Sequence, residues 1–157
     1  IYQLVDFYTL FYYQFIHGGK DYDEDTWMHL QGQSRHATWL GLSFEKLCFA
    51  HSHEIKRALG ISGIGTKMYA LSADGAQIDM VIERADKFVN ICEMKYSISP
   101  YSISKSEWGK IQRRLDTARE KLPNRSILLT MITSQGLKDN EYAQNGVQNI
   151  LTIEDLF

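Results

Sequence analysis

The chain has 157 residues, of which 17 are basic and 19 are acidic, so its formal net charge is −2. Its 44% of hydrophobic and 23% of charged residues are typical of a globular protein, and the charge balance excludes a polycationic, histone-like binder. A membrane partner is not expected, because no apolar run approaches the roughly 20 residues that crossing a bilayer requires.

Two features bear on where the protein works. Cys48 and Cys92 lie in apolar stretches, which is typical of buried, reduced thiols, and no segment resembles a secretory signal. We therefore expect a cytoplasmic protein that needs no disulfide. The first residue, Ile1, opens in the middle of a pattern, so we expect the chain to be a piece of a longer one.

An aromatic helix is predicted near the N-terminus. Asp6 is a favourable N-cap, the helix runs through Phe15, and Gly18 and Gly19 end it. Because this helix is apolar on nearly every side, another surface must cover it. Seven of the first sixteen residues are aromatic: Tyr2, Phe7, Tyr8, Phe11, Tyr12, Tyr13 and Phe15.

A boundary between modules is predicted at residue 25, after an acidic loop that spans residues 20–25. Residues 1–30 carry five acidic side chains and one basic side chain, a local net charge of −4. We expect residues 1–25 to be the tail of a preceding module and residues 26–157 to form an α/β domain. Alternatively, the aromatics between Tyr2 and Phe15 are a surface for self-association.

The next part of the chain changes from a helical to a strand pattern. Residues 26–59 carry apolar side chains at helical spacing, and Gly60 closes this helix. Strands are then predicted at residues 65–71, 75–83 and 88–97. Asp74 and Gly75 give a hairpin turn between the first two.

A second amphipathic helix begins at a capping box formed by Ser104 and Glu107, and Pro123 stops it. Residues 126–133 form a continuous apolar run, which is typical of a buried central strand. A short strand at residues 148–151 and a turn complete the chain. This order of helix, three meandering strands, helix, strand and strand predicts an α/β fold with a mixed central sheet.

Two of the predicted strands carry charged residues inside apolar runs. In the first, Ile78 and Met80 are expected on one face and Asp79 on the other, because alternate side chains of a strand share a face. In the next strand, Glu93 and Lys95 share a face. If the two strands pair through the short turn between them, Asp79 and Glu93 meet, with Lys95 one step beyond.

Such a group of charges has a chemical use. Neighbouring carboxylates repel each other unless a cation lies between them, and Mg²⁺ prefers hard oxygen ligands and keeps several waters. A water on the ion is more acidic and can attack phosphorus, while a lysine orients that water or stabilises charge on phosphate oxygens. We therefore predict Asp79, Glu93 and Lys95 as catalytic residues of phosphodiester cleavage with Mg²⁺ or Mn²⁺. Asp79 and Glu93 would bind the metal, and Glu45, at the edge of a buried helix face, is the predicted third ligand.

These motifs together resemble the PD-(D/E)XK restriction-endonuclease-like superfamily. A helix with Glu45, a hairpin with Asp79, and then Glu93 and Lys95 are followed by an amphipathic helix and a buried strand, over about residues 38–133. The resemblance implies an αβββαβ core with a mixed sheet flanked by helices. It also implies that the acids bind metal and that the lysine is catalytic.

A narrower resemblance includes the aromatic segment and is to the C-terminal, nuclease-like module of predicted archaeal-type and bacterial AAA+ ATPases. It implies that a nucleotide-binding domain and a winged helix precede this region, so the ATPase portion of the same polypeptide is an expected partner. One departure from the superfamily is Ile78, which stands where a proline usually precedes the first strand acid. The residues that carry the narrower match are Tyr2, Leu4, Asp6, Gly41, Phe44, Glu45, Ile78, Asp79, Glu93, Lys95 and Tyr96.

The second amphipathic helix carries a basic stripe. Residues 105–125 hold seven basic and three acidic side chains, a local net charge of +4. Lys110, Arg114 and Lys121 project from one side, and such a stripe attracts a phosphate backbone. We predict that these residues bind nucleic acid, with DNA favoured. A solvated outer helix face is the alternative.

The charged motifs also have structural interpretations that involve no catalysis. Glu-x-Lys recurs on solvated strands as part of a cross-strand pair. The glycine-rich segment at residues 60–67 lacks the order and the following helix of a phosphate-binding loop, so no nucleotide cofactor is expected. The sequence therefore leaves two hypotheses: a Mg²⁺-dependent nuclease, or a non-catalytic module of the same fold that binds nucleic acid or protein and regulates the attached ATPase.

Overall fold

The computed structural model describes residues 6–18 and 25–157, and its fold is α/β, with a five-stranded mixed sheet flanked by helices. The helical elements are α1 (Phe7–Phe11), a π-helical turn (Tyr12–Ile16), α2 (Thr26–Gln31), α3 (Ser34–Ala50), α4 (Ser52–Ala58), α5 (Lys105–Lys121), α6 (Glu141–Gly146) and a 3₁₀ turn (Ile153–Leu156). The strands are β1 (Thr66–Ala73), β2 (Ala76–Arg84), β3 (Phe88–Lys95), β4 (Ser126–Thr133) and β5 (Asn149–Thr152). No helix in the described ranges is long and apolar enough to cross a membrane.

The sheet has the order β1-β2-β3-β4-β5, so each strand pairs with the next one along the chain. β1, β2 and β3 pair antiparallel, and β3, β4 and β5 pair parallel. Asp74 and Gly75 join β1 to β2 with φ values of 51° and 74°, as a two-residue hairpin turn with two left-handed positions requires. The parallel pair β3–β4 needs a long crossover, which α5 supplies.

Two apolar layers cover the sheet, one on each face. Between the sheet and α3, α4 and the 3₁₀ turn lie Phe44, Cys48, Ile55, Met80, Ile82, Cys92, Met94, Ile132 and Leu156. Between the sheet and α5 lie Ile78, Val81, Val89, Ile91, Ile111, Leu115, Ala118, Leu129 and Met131. The α/β class and the predicted order of the main elements are therefore confirmed.

The prediction of one continuous helix over residues 26–59 is wrong, because the chain breaks twice. Gly32 follows α2 as its C-cap, and glycine is a poor residue for continuing a helix. His51, with φ −98° and ψ 32°, separates α3 from α4. The short helix α6 was not predicted; the side chain of Asn140 caps it by accepting from the backbone N–H of Ala143 at 3.0 Å.

β2 contains one residue more than the facing stretch of β1. The pairing passes from Tyr69 opposite Val81 to Leu71 opposite Ile78, which is two steps in β1 against three in β2. Such a β-bulge shifts the alternation of side chains between the two faces. Ile78 consequently packs in the α5 layer and Met80 in the α3 layer, so the prediction that these two side chains share a face is wrong.

The aromatic segment packs against the two helices that follow it. The Phe11 ring lies 5.3 Å from the Trp27 ring, and the Phe15 ring lies 5.4 Å from the Trp39 ring. Asp6 caps α1 as predicted, its Oδ2 accepting from a backbone N–H. Phe11 and Phe15 are thus covered by α2 and α3 of the same chain, whereas most of the other described side chains of this segment are exposed.

Other parts of the N-terminal region bear on the predicted boundary at residue 25. Tyr2 and residues 20–24 of the acidic loop lie outside the described residues. The ring contacts cross from residues 6–18 to α2 and α3, and the division into residues 1–25 and 26–157 stays a prediction. Tyr8 and Tyr13 remain 72% and 59% exposed.

Candidate active site

The charged residues of the predicted site lie at the bulge of β2 and the end of β3. Extending the antiparallel β2–β3 register by one step brings Asp79 across from Glu93. Asp79 Oδ2 accepts a hydrogen bond from the backbone N–H of Met94 at 3.3 Å, which holds the carboxylate against β3. Lys95 follows Glu93 on the same face of β3. The structure therefore brings Asp79, Glu93 and Lys95 together.

Glu93 is completely buried, and its two carboxylate oxygens differ in their surroundings. Arg114 Nη1, from α5, lies 2.5 Å from Oε2, and Lys95 Nζ lies 3.7 Å from the same oxygen. Oε1 is buried and has no hydrogen-bond partner. Leaving a buried oxygen unpartnered costs free energy, so this atom marks a position where a further ligand would be stabilising.

The protonation of Glu93 reflects these opposing influences. Burial raises the pKa of Glu93 to about 7, and the negative charge of Asp79 acts in the same direction. The positive charges of Arg114 and Lys95 lower it, but they do not offset the loss of water. Glu93 is consequently a carboxyl group that changes its charge close to neutral pH.

Glu45, on α3, is close enough to this group for the charges of Asp79 and Lys95 to affect it. Burial, followed by the charge of Asp79, raises the pKa of Glu45, whereas Lys95 and, more weakly, Arg114 lower it. Asp79 therefore influences both Glu45 and Glu93. We call these five residues, Glu45, Asp79, Glu93, Lys95 and Arg114, the charged cluster.

The charged cluster suits a divalent metal in donor type. Glu93 Oε1 is an unpartnered buried oxygen, and Asp79 offers a second carboxylate beside it, which are the hard oxygen donors that Mg²⁺ prefers. Within residues 6–18 and 25–157, no three His, Cys, Asp or Glu side chains are gathered to hold a metal ion. In this conformation the positive charge nearest Glu93 comes from Arg114 and Lys95.

The sequence did not identify Tyr101 as a neighbour of the charged cluster, and it did not indicate that Glu107 also binds the Tyr101 hydroxyl. The Tyr101 hydroxyl donates a hydrogen bond to Glu107 Oε1. Burial raises the pKa of Tyr101, and the charges of Glu107 and Glu93 raise it further. Glu107 also completes the capping box with Ser104. The capping pattern identified Glu107 only as a cap, and nothing in the local sequence singled out Tyr101.

The basic stripe predicted on α5 borders a groove. The groove has a volume of about 410 Å³ and lies between α5 and the β1–β2 turn; we call it the α5 groove. Lys110 and Arg114 line it together with Arg113, which the prediction did not include. Lys121 does not line the groove; it forms an ion pair at the β1–β2 turn, where its Nζ lies 2.8 Å from Asp74 Oδ2. Arg114 has a second role that the sequence did not indicate, as the ion-pair partner of Glu93.

Comparison with known proteins gives no family and one partial structural match. The chain matches no protein-family model and no curated protein. It is similar to a crystal structure of a protein of unknown function, AF1548, with a TM-score of 0.49 and 21% sequence identity. The match covers 70% of this chain, which spans 64% of the length of that one.

Proposed function

We propose that this chain is a Mg²⁺- or Mn²⁺-dependent nucleic-acid phosphodiesterase of the PD-(D/E)XK type. The observation that carries the proposal is the buried carboxylate of Glu93, which has one unpartnered oxygen and lies beside Asp79 and Lys95. A fully buried acid in this position has no packing advantage over an apolar residue, so a chemical role accounts for it better.

Each member of the charged cluster receives a role. Asp79 and Glu93, through Oε1, would hold the metal, and Glu45 would complete its ligands from α3. A divalent ion bound there supplies an acidified water and neutralises phosphate charge. Lys95 orients the attacking water and stabilises the negative charge that develops on the phosphate oxygens. Arg114 fixes the Glu93 carboxylate through Oε2.

The proposal extends to the setting of the domain. The order of helix, three strands, helix and strand supports the superfamily that the motifs resemble. On the narrower resemblance, the chain is the C-terminal part of a larger ATPase, and DNA is the favoured substrate. We place the protein in the cytoplasm, because Cys48 and Cys92 are free, buried thiols.

The decisive experiment is a cleavage assay with labelled DNA and RNA in Mg²⁺ or Mn²⁺. Asp79→Ala and Lys95→Ala are each expected to lower the rate by at least about a hundredfold, because each removes a group that acts on the reacting phosphate. Asp139→Ala and Lys56→Ala make the same charge changes elsewhere and should cut like the wild type. If the Asp79 and Lys95 variants retain the wild-type rate while remaining folded by circular dichroism, the site assignment is wrong.

A second function is a non-catalytic module that binds nucleic acid or protein and regulates the attached ATPase. The observation that favours it is the Arg114–Glu93 ion pair at 2.5 Å, which neutralises the buried carboxylate without a metal. Calorimetric titration with Mn²⁺ separates the two functions. Millimolar or tighter binding that is lost in Glu93→Gln supports the enzyme, and absence of binding in the wild type supports the regulatory module.

Self-association through the aromatic segment is a separate proposal. Tyr8 and Tyr13 present large exposed rings beside the packed Phe11 and Phe15. Aromatic side chains of this kind are enriched at protein interfaces. Sedimentation velocity at increasing concentration is the test, and a strictly monomeric chain at high concentration would exclude this role.

A further inference from the structure

We infer that the α5 groove holds the phosphodiester backbone of one nucleic-acid strand, and that it binds this strand through phosphates without contacting bases. The inference rests on the proposed function and deepens it by naming the binding path and the mode of recognition. It also assigns a binding role to Arg113, which lines the groove beside Lys110 and Arg114.

The groove and the charged cluster share one residue, Arg114. Arg114 lines the groove, and the same guanidinium lies 2.5 Å from Glu93 Oε2. A guanidinium carries five N–H donors, so one bond to Glu93 leaves others available to a phosphate in the groove. A strand held there passes its phosphates next to Glu93 and Lys95, where the proposed cleavage takes place.

The charges along the groove are separated between its two halves. Lys110, Arg113 and Arg114 lie in the first half of the α5 side, whereas Asp116 and Glu120 lie in the second. Lys110 and Glu120 are ten residues apart, which is about 15 Å along a helix. The half beside the charged cluster is therefore the positive one.

The acids that line the groove are largely compensated. Asp116 Oδ1 lies 2.6 Å from Arg119 Nη1, and Asp74 Oδ2 lies 2.8 Å from Lys121 Nζ. Both basic partners stand outside the lining, so they cancel acidic charge without occupying the space. With these two acids compensated, attraction for an anionic occupant comes from the basic half of the groove, where Lys110 and Arg113 lie beside Arg114.

The described side chains that line the groove determine how such an occupant is recognised. None of them is aromatic, so the groove lacks the aromatic platforms on which successive bases stack in many single-strand binders. Its ammonium and guanidinium groups instead match phosphate oxygens, which carry no sequence information. Binding in this groove should therefore be insensitive to sequence and strongly dependent on salt.

The test is equilibrium binding of labelled oligonucleotides in EDTA, where no metal-dependent cleavage can occur. The logarithm of the association constant falls linearly with the logarithm of the salt concentration, and in the double variant Lys110→Ala/Arg113→Ala the steepness of this line should decrease by about 2. This corresponds to a loss of affinity of about tenfold to a hundredfold at about 0.1 M salt. The matched control Lys56→Ala/Arg57→Ala removes the same charge from α4 and should keep the affinity within about twofold of the wild type.

Parallel series with DNA and RNA, and with several sequences of each, complete the design. Equal losses across sequences support the groove, and the nucleic acid that the wild type binds more tightly identifies the source of the backbone. Four results would overturn the inference: a wild type that binds neither DNA nor RNA, a double variant that binds like the wild type, an equal loss in the α4 control, or a loss confined to particular sequences. Because binding is measured in EDTA and cleavage in Mg²⁺ or Mn²⁺, a wild type that binds in EDTA but does not cleave separates failure of the proposed function from failure of the groove.

Discussion

Replacing Glu93 with glutamine should remove a pH dependence of stability that this residue imposes on the metal-free protein. Burial, with help from the charge of Asp79, raises the pKa of Glu93 from 4.5 to about 7. The folded protein therefore holds a proton on Glu93 over a range of pH in which the unfolded chain has released it. In this range the free energy of unfolding decreases as the pH increases.

The sign and the size follow from the two pKa values. The contribution of the protonated carboxyl is fully present below the unfolded value of 4.5 and is lost as the pH rises through about 7. Since one pKa unit corresponds to about 1.36 kcal/mol, the full change is about 3 kcal/mol. The glutamine amide keeps the size of the side chain but does not titrate, so the variant lacks this component.

Urea unfolding in EDTA, followed by tryptophan fluorescence between about pH 4.5 and about pH 8, measures the effect. The quantity of interest is the difference in the free energy of unfolding between wild type and Glu93→Gln at each pH. Groups that titrate equally in both proteins cancel in this difference. The wild type should lose about 3 kcal/mol relative to the variant across the range.

A difference that stays constant with pH would show that Glu93 titrates at its ordinary value, and the account of its burial would be wrong. A difference that grows in favour of the wild type at high pH would show that Arg114 and Lys95 outweigh the loss of water. Either result refutes the reasoning, whatever the absolute stability of the variant.

Two further substitutions test the packing that supports the charged cluster, both by urea unfolding. In Gly146→Ala the new Cβ would lie 1.9 Å from Cη2 of Trp108; the indole must move, and we expect a loss of about 1–3 kcal/mol. Unchanged stability would mean that α6 shifts freely against α5. Ser104→Ala removes the hydroxyl that accepts from the backbone N–H of Glu107 at 3.2 Å, and we expect a loss of about 1 kcal/mol. A loss below about 0.3 kcal/mol would show that the capping box contributes little to α5.

The strands and their turns could be predicted because their signals are local. β3 and β4 carry long apolar runs. The Asp74–Gly75 pair specifies a hairpin turn whose two central residues adopt the left-handed backbone conformation. The capping box at Ser104 likewise defines the start of α5 within four residues of chain. In each case the sequence contains the whole physical reason for the element.

The orientation of Ile78 could not be predicted, because the bulge in β2 depends on pairing with β1. No glycine marks the extra residue, and only the register from Tyr69 to Leu71 reveals it. Strict alternation therefore assigned Ile78 to the wrong layer. The meeting of Asp79 and Glu93 could still be expected, because it depends on the β2–β3 pair.

The ion pair of Arg114 with Glu93 could be predicted only in part. Arg114 stands three residues after Ile111 and directly before Leu115, both of which are buried. This spacing places Arg114 at the edge of the buried face of α5, so a helical projection contained a signal that its side chain faces the sheet. The basic composition of the helix led instead to the prediction of a phosphate-binding stripe. The partner of Arg114, Glu93, could be identified only from the packing of α5 over β3.

The extra residue of β2 also determines where this chain can gain or lose length. Deleting Met80 would restore equal spacing with β1 and would leave Ile78 and Val81 in the α5 layer, but it would move Asp79 from a position across from Glu93 to one across from Cys92. Insertions at the Asp74–Gly75 tip would leave the pairing near Asp79 untouched. Loss of Met80 would therefore separate Asp79 from Glu93 without changing any charged residue, whereas an insertion at the tip would alter only the wall of the α5 groove.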